Sequence, residues 1–355
     1  MEDREIVVVK NAMNPKIPAY AKSIYFDELI SDKGVKLPNG VKAVRFPKLY
    51  KVTELSFPRS LIYLSMNRLK KVNNLALNNG LKILELDSVT SVNGFTFPST
   101  LKELHLDSLK NTKGLLLPEG LFELHLNSVK DLKGLNLPKS LKCLYLNSLE
   151  TVKGVTLPSG LQKLSLNSLE NIDDLIIPGS IKELYLNNVK TITNKKFPNK
   201  LKTLSINRTT TVRDVVLPKN MDFLSMNSLE DFSGVTMPEK VNTLFINGKK
   251  DTENLLLPEI TKQLELNGLQ SLGNFTFPLM EEGVSVSFDS VQTVENFTFP
   301  DEISTISLKN AKLFKNVKFE GILICLNSPK LEHYEDTNFP FILFDDVNRN
   351  NHKLN

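Results

Sequence analysis

The chain has 355 residues and a net charge of +4, and its charged residues, 24% of the total, mix lysines with acids throughout. So mild a positive charge does not indicate a nucleic-acid-binding protein, and the lack of a long uninterrupted apolar run argues against a transmembrane helix. The first residues, MEDREIVVVKNAMNPK, are acidic at their start and lack the apolar core of a signal peptide, so we expect no cleaved leader.

Prolines recur with a period of twenty residues along most of the chain. Counted from the leucine before each proline, the repeated unit reads L-P-x-x-L-K-x-L-x-L-N-S-L-x-x-V-x-G-L-x, and its places are numbered one to twenty. Only Asn78 interrupts the series, whose members are Pro18, Pro38, Pro58, Pro98, Pro118, Pro138, Pro158, Pro178, Pro198, Pro218, Pro238, Pro258 and Pro278. A fixed period indicates a repeat architecture, in which each coil buries its apolar face against its neighbours.

In chain order, the sequence predicts one solenoid with a cap at each end. The stretch VVVKNAMNPKI has the pattern of a shortened first coil that holds Val7 and Val9, and two extra residues near Gly283 delay the next proline to Pro300. The predicted boundaries are a single solenoid domain over 1–346, with an N-terminal cap coil (1–16), repeats (17–331), a C-terminal cap that includes FILF at Phe341–Phe344 (332–346), and then a polar tail (347–355).

Each unit carries one strong strand signal. Leu141, Leu144 and Leu146 alternate with Cys143 and Tyr145, which predicts a strand near 143–147 whose leucines face inward. A second apolar alternation before each proline, as in GFTFP, predicts that the back of each coil is extended as well. No window has the helical periodicity that an α-helix needs. We therefore predict an all-β fold, a right-handed parallel β-solenoid of about sixteen 20-residue coils with little or no α-helix.

Two columns of the repeat account for the turns between strands. Glycine, asparagine or aspartate occupies the eighteenth place, and these residue types tolerate positive φ. Asparagine or aspartate occupies the eleventh place, where a side chain in register on every coil can bond the backbone of its neighbour. Because this second column extends along the whole chain, we interpret it as a structural ladder and not as a binding motif.

The segments LPKSLKCLYLNSL, LPSGLQKLSLNSL and LPEGLFELHLNSV resemble leucine-rich repeats, in particular the short LPxxLxxLxL type of bacterial secreted effectors. The resemblance extends from Ile17 to Leu331. It departs from that type because the asparagine stands two places earlier, with Leu109, Val129 or Leu149 at the usual position. This apolar substitution is also similar to the BspA-like β/β repeats of bacterial and protozoan surface proteins. The resemblance implies a protein-binding solenoid, and the effector type implies action inside a host cell.

No catalytic motif is present, so we expect neither an enzyme nor a cofactor. The chain lacks a glycine-rich phosphate loop, a C-x-x-C pair and a Ser/His/Asp set in neighbouring coils. His105 and His125 occupy the ninth place of adjacent coils, with Glu103 and Glu123 at the seventh, and such side chains are potential metal ligands. Since no third ligand is spaced to complete a tetrahedral site, we interpret them as part of a binding face and expect no metal.

The outer face of the sheet is the predicted binding surface, because its side chains vary while the core columns do not. Aromatic and imidazole rings anchor protein interfaces, and the candidate partner-binding residues are His105, Phe122, His125, Tyr145 and Tyr185. The leading hypothesis is a non-catalytic scaffold that binds a protein partner along this face.

Two alternatives remain: a surface adhesin or glycan-binding protein, and a nucleic-acid-binding protein that uses a lysine column at the sixth place. That column more often keeps a sheet soluble, and its members are Lys22, Lys42, Lys82, Lys102, Lys142, Lys182, Lys202 and Lys262. The lack of a leader predicts a cytoplasmic protein, or one secreted into a host cell without a cleaved signal peptide. The separation of Cys143 and Cys325, about nine coils, exceeds disulfide reach and fits a reducing compartment.

Overall fold

The computed structural model describes residues 6–10, 15–251, 256–321 and 325–338. The chain is a parallel β-solenoid of about sixteen turns with about twenty residues per turn, which confirms the predicted fold class. The described residues contain no helix, and therefore none long and apolar enough to cross a membrane. The predicted FILF segment, Phe341–Phe344, and the tail 347–355 lie outside the described residues.

The chain divides into two compact units, 1–181 and 182–355. In the first unit the described strands are β1 (Ile6–Val9), β2 (Ser23–Phe26), β3 (Ala43–Arg45), β4 (Tyr63–Ser65), β5 (Ile83–Glu85), β6 (Glu103–His105), β7 (Glu123–His125), β8 (Cys143–Tyr145) and β9 (Lys163–Ser165). These strands pair in chain order, all parallel, and most partners are twenty residues apart, as for Leu104 with Leu124. Before the first repeat, β1 pairs with β2 in parallel, with Val7 opposite Ile24.

In the second unit the described strands are β10 (Glu183–Tyr185), β11 (Thr191–Thr193), β12 (Thr203–Ser205), β13 (Thr211–Arg213), β14 (Val215–Val216), β15 (Asn220–Ser225), β16 (Val235–Thr236), β17 (Lys240–Phe245), β18 (Glu259–Glu265), β19 (Val284–Ser287), β20 (Thr293–Phe299), β21 (Ile303–Ser307), β22 (Leu313–Phe319), β23 (Cys325–Asn327) and β24 (His333–Glu335). The main parallel sheet contains β10, β12, β15, β17, β18, β19, β21 and β23. Three short sheets lie outside the main sheet: β11 with β13, β14 with β16, and β20 with β22 and β24. The back of these coils is therefore extended, as predicted.

The period shifts in the second unit where the sequence indicated. Leu264 pairs with Val286, twenty-two residues later, so the two extra residues are accommodated between these coils. Gly283 lies in this segment with a φ of 87°, a conformation that costs glycine little.

The leucine columns form the core of the coils. Leu141, Leu144, Leu146, Leu149 and Val152 are all buried, as the alternation predicted. Equivalent core residues of neighbouring coils also contact one another. The rings of Phe26 and Phe46 stack with centroids 4.6 Å apart, and those of Phe299 and Phe319 stack at 5.1 Å. Burial of these columns is the main stabilising term of the fold.

Most members of both turn columns act as the sequence predicted. In the eighteenth place Gly94, Gly154 and Asn74 have φ values of 75°, 73° and 65°. Gly234 differs: its φ lies outside this region, and an added Cβ would collide with the carbonyl oxygen of Val212. In the eleventh place the side-chain oxygen of one coil accepts the backbone N–H of the next, for example Oδ1 of Asn127 from Asn147 at 3.2 Å and Oδ1 of Asn147 from Asn167 at 3.3 Å.

Candidate functional site

Three of the predicted side chains form one stack of rings in the first unit. His105, His125 and Tyr145 end β6, β7 and β8, and these strands pair in register. The ring centroids of His105 and His125 are 3.8 Å apart, and those of His125 and Tyr145 are 4.1 Å apart. Parallel strands are spaced about 4.8 Å apart, so equal positions of adjacent coils bring flat side chains into stacking distance. We call these three residues the ring stack.

A lysine lies at the tyrosine end of the ring stack. Nζ of Lys163, on β9, is 5.7 Å from the centroid of the Tyr145 ring, within the range of a cation–π interaction. Burial, and then repulsion from Glu123, raises the pKa of the Tyr145 hydroxyl, whereas Lys163 acts in the opposite direction. Tyr145 therefore remains a neutral hydrogen-bonding group at physiological pH.

Glutamates at the seventh place orient both imidazoles. Nε2 of His105 donates to Oε1 of Glu103, and Nε2 of His125 donates to Oε1 of Glu123, each at 2.8 Å. The paired residues lie two positions apart on one strand and therefore point to the same face of the sheet. The imidazoles retain only 17% and 15% of their side-chain exposure, so their orientation is fixed by packing as well as by these bonds.

A third potential metal ligand adjoins the two histidines. The expectation of no metal rested on the lack of such a ligand in the sequence spacing. In the structure, donor atoms of His105, Glu123 and His125 all lie within 4.8 Å of one another. Imidazole nitrogens and carboxylate oxygens are both ligands of Zn²⁺, so this set has the chemistry of a three-residue metal site.

Two aspartates of the eleventh place extend the site, and the sequence interpretation missed them. Asp107 lies in the coil of His105 and Asp87 in the preceding coil, at a place where most other coils have asparagine. Burial, and then repulsion from Asp107, raises the pKa of Asp87. Its Oδ1 atom is buried and finds no hydrogen-bond partner among the described residues. The signal was present in the sequence as an exception to a repeated column, beside the only adjacent pair of histidines in the ninth place.

The other two predicted residues lie apart from the ring stack. Phe122 immediately precedes β7 and occupies the sixth place, between Lys102 and Lys142 of the neighbouring coils, and 49% of the residue is exposed. Tyr185 ends β10 in the second unit, and its hydroxyl donates to Oε2 of Glu183 at 3.1 Å. The structure thus brings together His105, His125 and Tyr145, and it leaves Phe122 as an exposed apolar side chain three residues before His125 in the same coil.

Serines of the ninth place belong to the core structure more than to the surface. Ser165, Ser205 and Ser225 are each no more than 5% exposed. Their hydroxyls donate to Oδ1 of the asparagine in the preceding coil, for example Ser165 to Asn147 at 2.6 Å. The ninth place therefore presents a large side chain only in the coils where a ring or a charged residue replaces serine.

The lysine column has internal partners in several coils. Nζ of Lys102 donates to the carbonyl oxygen of Gly120 at 2.9 Å, and Nζ of Lys142 donates to that of Gly160 at 3.1 Å. The equivalent bond from Lys202 reaches Asn220 at 3.3 Å. In these coils the lysine links one turn to the next, which accounts for its repetition by coil geometry.

Comparison with known proteins identifies the fold. No family model matches the chain, and no curated protein matches it. YopM from Yersinia enterocolitica WA-314 is 17% identical over 93% of this chain, with a TM-score of 0.54. CroV588, described as a novel circular LRR protein, is 16% identical over 96% of this chain, with a TM-score of 0.50. The chain spans 65% and 58% of the lengths of these two proteins. The likeness concerns the fold alone, and on that basis the chain is a solenoid with the leucine-rich-repeat fold.

Proposed function

We propose that the chain is a non-catalytic scaffold that binds a protein partner along the outer face of its parallel sheet. The observation that supports this most is the ring stack of His105, His125 and Tyr145, held on strands whose register the core fixes. Rings with a polar edge and little conformational freedom are the side chains that most often anchor protein interfaces. The exposed ring of Phe122, three residues before His125 in the same coil, adds apolar area.

The proposal extends to the cell compartment. We infer a cytoplasmic protein, either in the cell that produces it or in a host cell that receives it. The support is the resemblance of the LPxxLxxLxL units to the repeats of secreted effectors.

Affinity capture with two matched variants tests the binding surface. The ring variant combines His105→Ala, His125→Ala, Tyr145→Ala and Tyr185→Ala, and the back variant combines Lys139→Ala, Lys153→Ala and Thr156→Ala. Extracts of the native cell and of its host are passed over each immobilised protein. We expect the ring variant to retain the melting temperature of the parent and to capture at least about tenfold less partner, because truncation of interface rings is costly.

The back variant is expected to capture as much partner as the parent. Loss of the partner by the back variant with retention by the ring variant would place the binding surface elsewhere. Capture of nucleic acid, with an affinity that falls steeply as salt is raised, would favour the lysine-column alternative instead.

A further inference from the structure

We propose that His105, Glu123 and His125 bind a divalent transition-metal ion, with Zn²⁺ as the ion that this donor set suits best. The donor atoms of the three side chains lie within 4.8 Å of one another on the outer face of β6 and β7. Two imidazoles and one carboxylate form a known set of protein ligands for Zn²⁺, whereas Mg²⁺ and Ca²⁺ prefer oxygen ligands alone. The site requires no partner molecule, so it stands or falls independently of the proposed function.

Coordination requires the two imidazoles to rotate, while the backbone can stay in place. Nε2 of each histidine faces the glutamate of its own strand, and the rings are stacked with an interplanar angle of 11°, so the two Nε2 atoms lie side by side. Two ligands of a tetrahedral Zn²⁺ ion, each about 2.0–2.1 Å from the metal, are about 3.3 Å apart. The ring centroids of His105 and His125 are 3.8 Å apart. Rotation of the imidazoles out of their parallel stack would direct both lone pairs at one ion.

Glu123 already occupies the position of the third ligand. Its Oε1 atom accepts a hydrogen bond from Nε2 of His125 at 2.8 Å. An ion that replaces the shared proton needs a nitrogen-to-oxygen separation only slightly larger than this one. The backbone need not move, because Glu103 and Glu123, and likewise His105 and His125, are register partners in the sheet.

The electrostatic surroundings favour a cation at this point. Besides Glu103 and Glu123, the coil of His105 contributes Asp107, and the preceding coil contributes Glu85 and Asp87. Repulsion among the carboxylates destabilises the site while it holds no cation, and a dication beside His105 relieves it.

The fourth coordination position is open to solvent. The imidazoles and Glu123 lie on the outer face of the sheet, and Glu123 retains 25% of its side-chain exposure. A water molecule, or a donor atom from another molecule, therefore completes a tetrahedral site. A site with three protein ligands and one exchangeable ligand binds metal more weakly than a closed site of four protein ligands.

Isothermal titration of the full chain with ZnCl₂ tests the proposal, with excess Mg²⁺ present throughout. We expect one equivalent of Zn²⁺ to bind, and we expect His105→Ala, His125→Ala and Glu123→Gln each to weaken binding at least about tenfold. Glu123→Gln is the most informative change, because the amide preserves the shape of the side chain and removes the anionic ligand. Circular dichroism of each variant confirms that the solenoid is intact.

Two control variants show whether the binding is specific to this site. His333→Ala with His352→Ala removes the other two histidines of the chain, and Glu183→Gln makes the same chemical change at an equivalent seventh place in the second unit. Both are expected to leave the affinity within about twofold of the parent. The proposal is overturned if the parent binds no Zn²⁺ in excess Mg²⁺, if Glu123→Gln binds as tightly as the parent, or if the double-histidine control loses the ion.

Discussion

Asp87 and Asn67 occupy equivalent positions of neighbouring coils, and an oxygen atom of each is buried without a hydrogen-bond partner among the described residues. Two coils further on, Asn127 shows how such an oxygen is satisfied, because its Nδ2 donates to Oδ1 of Asp107 at 2.7 Å. A carboxylate at position 87 has no proton to donate in this way. The aspartate at this place is therefore a local cost to stability.

The change Asp87→Asn should stabilise the protein. The new amide can donate to Oδ1 of Asn67 and no longer repels Asp107, and a gain of about 0.5–1.5 kcal/mol is expected from one satisfied buried hydrogen bond. Because the folded-state pKa of Asp87 is raised, its carboxylate destabilises the fold at neutral pH, and protonation removes that penalty. The melting temperature of the variant should exceed that of the parent most at neutral pH, and the difference should shrink as the pH falls through the raised pKa of Asp87.

Asn127→Asp is a control that should change the stability in the opposite direction. It removes the donor to Asp107 and places a second carboxylate beside it, so the melting temperature should fall at neutral pH. If both variants shift the melting temperature in the same direction, the hydrogen-bond pattern of this column does not govern its stability.

Asp32 is an acid that stabilises the fold. It is 1% exposed, and its Oδ2 accepts the backbone N–H groups of Thr53, Glu54 and Leu55 at 2.7, 2.8 and 2.9 Å. Burial raises the pKa of Asp32, but the hydrogen bonds from Thr53, Glu54 and Leu55 outweigh this effect and lower it below the ordinary value. One carboxylate thus anchors the turn of the next coil.

Asp32→Ala should destabilise the protein by about 2–4 kcal/mol at pH 7, because it leaves buried N–H groups unpaired. A lowered folded-state pKa contributes stability above the unfolded value of about 3.9, and that stability is lost as the pH falls through the folded-state pKa. In urea unfolding, the free energy of unfolding of the variant should therefore lie further below that of the parent at pH 7 than at acid pH. Asp131→Ala removes an exposed aspartate with one bond to Lys133 and should change stability by less than about 0.5 kcal/mol.

At the scale of the single coil, two adjacent residues lie on opposite faces of the sheet. Leu146 follows the three-residue strand β8 and is fully buried, whereas Tyr145 ends that strand on the outer face. The strand ends earlier than the predicted 147 because the chain turns at Asn147, where the carbonyl oxygen of Leu146 accepts the backbone N–H of Leu149. The coil therefore requires the leucine and leaves the tyrosine free to vary.

Leu146→Asp should unfold the neighbouring coils, since it buries a charge without a partner at a cost of several kcal/mol. Tyr145→Ala should change the melting temperature little, because the strand and its core are unaffected. Thermal melts followed by circular dichroism compare the two directly. Similar losses of stability in both variants would show that the outer ring is also a structural requirement of the coil.

The sequence patterns predicted the structure of the coil but not the side-chain geometry of the candidate site. The spacing of Leu141, Leu144 and Leu146 predicted strand, burial and register, because every coil repeats the same constraint. Glu123 was recognised as a potential ligand, but its approach to both histidines was not predicted, since it depends on which way a side chain turns on the sheet surface. The buried oxygen of Asp87 likewise follows from contacts between coils that no single repeat displays.

At the scale of the whole molecule, departures from the repeat cluster in consecutive coils of the first unit. Asp87 and Asp107 replace asparagine and Phe122 replaces lysine. His125 and its stacked neighbours occupy a place where four other coils have a buried serine, at Ser65, Ser165, Ser205 and Ser225. Repetition satisfies the fold in every coil, so these exceptions are the residues that the fold does not demand. They coincide with the proposed binding surface and with the proposed metal site.

Hydroxyl-radical footprinting of the chain, alone and with its captured partner, observes the binding surface directly. Phe122 and Tyr145 should lose reactivity in the complex because the partner covers them. Tyr20 and Tyr50, which are 61% and 57% exposed, lie outside the ninth and sixth places and should react as in the free chain. Protection of Tyr20 or Tyr50 with unchanged oxidation of Phe122 and Tyr145 would contradict binding along the outer face of the sheet.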